Sequence, residues 1–153
     1  MMPPSTRPLL TGTPEGMSES DAELLALATE LLVRVYEPGR HEVAAAMRTS
    51  DGSTYVGVHV DGSARRSTVC AEGVAMGNAV AGSAPSGTRL QIEASVSVLR
   101  ARSGTLHLIE PCGVCSELLT DYSPSARVWI TEGDEVKAVT ARQLLPAKRE
   151  RVW

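Results

Sequence analysis

Three cysteines in two short runs constrain this chain more than any other feature. Cys70-Ala71-Glu72 and Pro111-Cys112-Gly113-Val114-Cys115 each fall where a helix is expected to begin, after a strand or a loop. A helix start offers unpaired backbone N–H groups and the positive end of the helix dipole, and both favour thiolate. The opening residues, MMPPSTRPLL, lack a basic flank followed by a continuous apolar stretch, so no secretory signal is expected. An odd number of cysteines in that setting argues against a disulfide framework and for a metal site or a redox pair.

Zinc takes three protein ligands in catalytic sites and keeps a fourth position for water. Three thiolates arriving from two helix starts match that count, which makes Cys70, Cys112 and Cys115 the candidate ligands and Zn2+ the expected cofactor. Glu72, two residues after the first ligand, would point into the same cavity without binding the metal. Zinc acidifies its water, and a carboxylate beside it can move protons, a contribution of about 10²–10⁴-fold. Two other readings use the same residues. A C-x-x-C pair alone suits dithiol redox chemistry, and a fourth His or carboxylate ligand would close the site into a structural one.

The scaffold expected around these residues is α/β. Residues 1–17 carry Pro3, Pro4, Pro8 and Pro14 without periodicity and read as a flexible tail. Ser20-Asp21-Ala22-Glu23 is a capping-box pattern, followed at helical spacing by Leu24, Leu25, Ala28, Leu31, Leu32 and Val35. Residues 41–49 and 54–60 read as a hairpin around Ser50-Asp51-Gly52-Ser53. The segment 70–81 reads as a buried helix and 83–88 as a loop. Residues 91–99 read as a strand with Ile92, Ala94, Val96 and Val98 on one face. A strand over 105–109, a helix over 112–122, a strand over 127–130 and a short helix over 140–145 follow. The sum is a three-layer α/β/α domain over 18–153 with a mixed five-stranded sheet.

Composition narrows the function classes. The chain has 153 residues, 42% hydrophobic, and 15 Lys and Arg against 18 Asp and Glu give a net charge of −3. That suits one domain with a proper core and argues against disorder. It also argues against a dedicated nucleic-acid partner, which would call for a basic, aromatic groove. No apolar run approaches the roughly 18 residues of a spanning helix. A soluble, cytoplasmic protein without a membrane partner is the simplest expectation.

The paired motifs V-C-A-E and P-C-G-V-C resemble the cytidine deaminase superfamily. TSDGSTYVGVHVDG resembles that family's hairpin of second and third strands, and RQLLP resembles the terminal element of the small cytidine deaminases and blasticidin S deaminases. The likeness runs over roughly residues 20–148. It implies a cytidine-deaminase-like fold and a zinc-dependent hydrolytic deaminase that releases ammonia from a free nucleoside or nucleoside-like amino-heterocycle. Cytidine or deoxycytidine is the default substrate, and an aminonucleoside antibiotic of the blasticidin S type is the alternative. A non-catalytic zinc-stabilised ligand-binding relic is the reading from another class.

The resemblance also assigns residues. Cys70, Cys112 and Cys115 would hold zinc and Glu72 would shuttle protons. The Ala71 amide would touch the substrate's carbonyl edge, and the Pro111 carbonyl would lie near the departing amine. His59 and Asp61 stand where typical members have an N-x-E that grips the ribose hydroxyls. Gly73 and Ser116 replace two arginines usual after C-A-E and P-C-x-x-C, which offset the negative charge that three thiolates leave on zinc. Arg65 or Arg66 is the candidate substitute. Glu110 replaces a small hydroxyl residue and would either favour a cationic substrate or face solvent. His41 and His107 read as strand residues without a role, and Trp129 and Tyr55 as core. Relatives of this size are typically homotetramers, so a homo-oligomer, tetramer or dimer, is implied, and the small-residue helix at 70–81 could pack across such an interface.

Overall fold

Ala44, Ala45 and Ala46 follow one another in the first strand, and their small side chains let helices approach the sheet closely on both faces. The computed structural model describes residues 7–64, 67–83 and 90–152. Residues 1–6, Arg65, Arg66 and positions 84–88 of the expected loop lie outside the described residues. In chain order the elements are α1 (Glu19–Val35), β1 (Val43–Thr49), β2 (Thr54–Val58), α2 (Ala71–Gly82), β3 (Ile92–Arg100), β4 (Leu106–Leu108), α3 (Gly113–Tyr122), β5 (Arg127–Glu132), β6 (Glu135–Thr140) and α4 (Ala141–Leu144).

The six strands form one mixed sheet in the order β2-β1-β3-β5-β6, with β4 also paired to β3. Only the β3–β5 pairing is parallel among these strands. β6 is the strand added to the five expected. It turns back from β5 at Gly133, whose φ of 61° favours glycine, and pairs along the whole of β5. Glu135 and Lys137 flank Val136, and Val136 and Val139 pack on opposite faces of the sheet.

Two cores sandwich the sheet. On one face Leu24, Leu25, Ala28 and Leu32 of α1 cover Ala44, Ala46, Ala94, Val96, Val98 and Trp129. On the other Ala71, Ala75, Met76 and Ala79 of α2, with Leu119 of α3, cover Ala45, Met47, Val128 and Ile130. The layers are thus α/β/α, as expected. Ile92 departs from the expected single face and joins the second core. Arg48 pairs with Ala94 and Thr49 with Ile92, so Glu93 is an extra, bulged residue, and a one-residue insertion reverses the facing of what precedes it.

Two local details matter for the site. Gly57 of β2 lies directly under α2, and a Cβ there would overlap the Ala75 amide nitrogen and the Ala71 carbonyl oxygen. Glycine therefore lets the first turn of α2 rest on the sheet. At α1 the cap is Ser18 rather than Ser20: the Ser18 hydroxyl accepts the Asp21 N–H at 3.2 Å. The Asp21 side chain turns inward instead, fully buried, and takes hydrogen bonds from Arg48 at 2.7 Å, Arg127 at 2.6 and 2.9 Å and the Trp129 indole at 2.7 Å.

Residues 7–10, within the segment expected as a flexible tail, lie beside β4 and the residues that follow it. The Leu10 N–H donates to the Leu106 carbonyl at 2.8 Å, and a His107 ring nitrogen lies 3.1 Å from the Pro8 carbonyl. Among the described residues no helix is long and apolar enough to cross a membrane.

Candidate metal centre and active site

Cys70 and Cys112 are the N-caps of α2 and α3, so each sulfur stands at a helix start, and Cys115 lies one turn into α3. The Cys112 sulfur accepts the Cys115 N–H at 3.5 Å, an ordinary cap that aims both thiols the same way. The Cys70 and Cys112 sulfurs are 3.4 Å apart, too far for a disulfide, and all three sulfurs lie within 4.8 Å of one another. A tetrahedral zinc with Zn–S bonds of about 2.3 Å holds its sulfurs about 3.8 Å apart, inside that range. Among the described residues the cluster comprises these three sulfurs, and three protein donors are the number that a catalytic zinc site uses. Three clustered thiols also depart from a simple redox pair. The set fits Zn2+.

The electrostatics agree with a resident cation. Burial pushes the Cys70 thiol up to about 11, and its hydrogen bond and charge interaction with Cys112 add to this. Cys115 is raised by burial first and then by the Glu72 carboxylate and the neighbouring sulfurs. Thiols crowded in this way ionise when a divalent cation is present, so loading the site releases protons.

Glu72 occupies the first turn of α2 and is 4% exposed. A carboxylate so buried needs a partner. It has one in Ser97 of β3, 3% exposed, whose hydroxyl donates to Glu72 Oε1 at 2.7 Å. Ser97 was not among the sequence candidates. The signal was there in Ala94-Ser95-Val96-Ser97-Val98: the valines face α1, so the serines face α2, and two hydroxyls on a buried strand face need partners.

Ala71, fully buried, is the first residue of α2, and Pro111, also buried, directly precedes Cys112, its carbonyl 3.5 Å from the buried Ser116 hydroxyl. His59 is half-buried, and its Nδ1 accepts the Glu42 N–H at 3.0 Å. That bond places the proton of a neutral ring on Nε2, leaving a donor outward. His41, without an expected role, holds this corner through its ring nitrogen, 3.0 Å from the His59 carbonyl. Asp61 is exposed and accepts from the Thr68 hydroxyl. A bridge between Val60 and Val69 brings this stretch beside Cys70. Arg65 and Arg66, the candidate charge partners, lie outside the described residues. Trp129 is core, 4% exposed, with its indole N–H spent on Asp21.

Glu110 neither faces solvent freely nor waits for a cation. Arg7 binds both of its oxygens, at 2.5 and 2.6 Å. Burial opposes the charge on Glu110, but the Arg7 hydrogen bonds override it and keep this carboxyl below the usual carboxylate range.

Residues 18–131 match the sequence model described as "Cytidine and deoxycytidylate deaminase zinc-binding region". The chain is 36% identical over 139 residues to the blasticidin-S deaminase of Bacillus cereus, covering 88% of this chain and 96% of that protein. It is 30% identical over 128 residues to the cytidine deaminase of Sporosarcina psychrophila, covering 81% and 87%. The crystal structure of the cytidine deaminase from Bacillus anthracis superposes with a TM-score of 0.70 over 86% of this chain and 89% of that one; at 23% identity this speaks for the fold. Agreement this long, across nearly the whole of two deaminases and with the thiols and the buried carboxylate in place, puts the chain in the cytidine and deoxycytidylate deaminase family as a zinc-dependent hydrolytic deaminase.

Proposed function

We propose that the enzyme deaminates a free nucleoside or nucleoside-like compound carrying an amino-heterocycle. The observation that carries this is the buried Glu72 carboxylate beside three clustered thiols, held by the Ser97 hydroxyl. Cys70, Cys112 and Cys115 would hold zinc, and the metal, when bound, would supply a water acidified enough to act as nucleophile near neutral pH. Ser97 engages Oε1, so proton transfer falls to Oε2 of Glu72. Glu72 takes a proton from the attacking water, passes it to the ring nitrogen beside the reacting carbon, and returns one to the departing amine. A C–O bond forms, the C–N bond breaks and ammonia leaves. The Ala71 N–H donates to the substrate carbonyl, and the Pro111 carbonyl accepts from the leaving amine. His59 offers an N–H and Asp61 a carboxylate, a donor and acceptor suited to a sugar-like diol.

Two features favour an aminonucleoside antibiotic over cytidine itself: the higher identity to a blasticidin-S deaminase, and H-x-D where cytidine deaminases carry N-x-E. An ammonia-release assay over cytidine, deoxycytidine, cytosine and blasticidin S decides between them. The expected result is zinc-dependent release from at least one nucleoside and none from the free base. Release from cytosine alone would remove His59 and Asp61 from the site.

Ser97→Ala is expected to lower kcat about tenfold with a smaller change in KM, since a hydrogen bond to a charged group is worth about 1.5 kcal/mol or more. Zinc content, measured beside the rates, should not change. A parallel loss of zinc would mean that Ser97 serves packing rather than the carboxylate.

A further inference from the structure

The family match begins at residue 18, yet the chain before it is tied to the strand that leads into the Cys112–Cys115 pair. Leu10 bonds Leu106, Pro8 meets His107 and Arg7 grips Glu110, so the segment runs antiparallel along β4, with its three contacts stepping toward the thiol loop. His107 is buried, 2% exposed, and its other ring nitrogen lies 2.9 Å from the Thr105 hydroxyl, so this contact is built into the fold. The Arg7 side chain is 3% exposed. Burying a guanidinium is costly unless it is paired and hydrogen-bonded. Its fork meets the Glu110 carboxylate with two parallel bonds, a geometry that fixes both distance and plane. Glu110 adjoins Pro111 and stands two residues before Cys112.

We propose that Arg7 is a positioning residue: through Glu110 it sets the loop that presents Pro111 to the substrate and Cys112 to zinc. The proposal rests on the zinc reading above. It explains how a carboxylate can stand beside this motif without drawing the cation away from the thiolates: the guanidinium neutralises it and occupies both oxygens.

The test uses the full chain loaded with zinc, as wild type, Arg7→Ala, Arg7→Lys, Glu110→Gln and the double variant Arg7→Ala/Glu110→Gln. Zinc release to a chromogenic chelator, kcat and KM on the best substrate, and melting temperature are measured for each. Groups that orient metal ligands typically cost about 10–100-fold when removed. Arg7→Ala is therefore expected to release zinc about 10-fold faster and to lose about 10-fold in kcat, with KM changed less. Arg7→Lys, which keeps the charge but not the fork, should fall between it and wild type. The double variant should be no worse than Arg7→Ala, since the two side chains act as a unit. If Arg7→Ala does not fold, Arg7→Lys and Glu110→Gln carry the same comparison. Variants that melt earlier yet release zinc and turn over as wild type does would overturn the positioning role and leave a purely structural strap. A wild-type chain that takes up no zinc would overturn the zinc reading and this proposal together.

Discussion

Glu72→Gln is expected to cut ammonia release by about 10²–10⁴-fold while leaving zinc content and melting temperature unchanged. Gln has the same shape and keeps an oxygen for the Ser97 hydroxyl, so the buried contact survives. What it loses is the capacity to accept and return a proton. Because Glu72 is not among the clustered ligands, the thiols still hold the metal. The readouts are ammonia release, zinc per chain and thermal melting on the same preparations. A variant that keeps more than about a tenth of the wild-type rate would remove Glu72 from the proton path. Loss of zinc along with activity would instead make it a ligand.

Asp21→Ala should be the most damaging substitution away from the site. Asp21 satisfies Arg48, itself only 8% exposed, together with Arg127 and the Trp129 indole. Removing Asp21 leaves the Trp129 indole without its acceptor and Arg48 with only the Ser20 carbonyl and Glu93, and breaking a buried charged cluster costs about 3–5 kcal/mol. Against a typical total of about 5–15 kcal/mol, that lowers the melting temperature by roughly 10 °C or more. The cluster also has a pH signature. Burial alone would raise the Asp21 carboxyl; the hydrogen bonds from Arg127, Trp129 and Arg48 override it and hold the group well below the usual carboxylate range. A group depressed in the folded state stabilises fully above its unfolded value of about 3.9, and that stability drains away as pH falls toward the folded value. Urea melts from pH 7 to pH 3 should show wild-type stability falling below about pH 5. In Asp21→Ala the slope should be shallower. Equal slopes would mean that Asp21 is not the group responsible.

The chemical motifs were legible because each is local: a cap, a thiol and a carboxylate lie within three residues, and helix geometry does the rest. What escaped lies between distant segments. Arg7 and Glu110 are 103 residues apart, and nothing in a proline-rich start signals that its one arginine will be buried. Asp21 sits 106 residues from Arg127, and in sequence it reads as one more acid in a helix's first turn. β6 was hidden because Glu135-Val136-Lys137-Ala138 is half charged, and only pairing with β5 makes it a strand. The facing of Ile92 depended on a bulge that one strand cannot reveal without its neighbour.

Ser97 has two attachments. Its hydroxyl holds Glu72, and its carbonyl accepts the Ile109 N–H at 3.0 Å, three residues before Cys112. A single point on β3 is thus hinged to both halves of the chemistry. A shift of β3 at Ser97 would carry the Glu72 carboxylate and the approach to Cys112 and Cys115 together, rather than each on its own loop. His59 and Asp61 are anchored elsewhere, to Glu42 and Thr68, so substitutions at that outer corner leave the Ser97 tie in place.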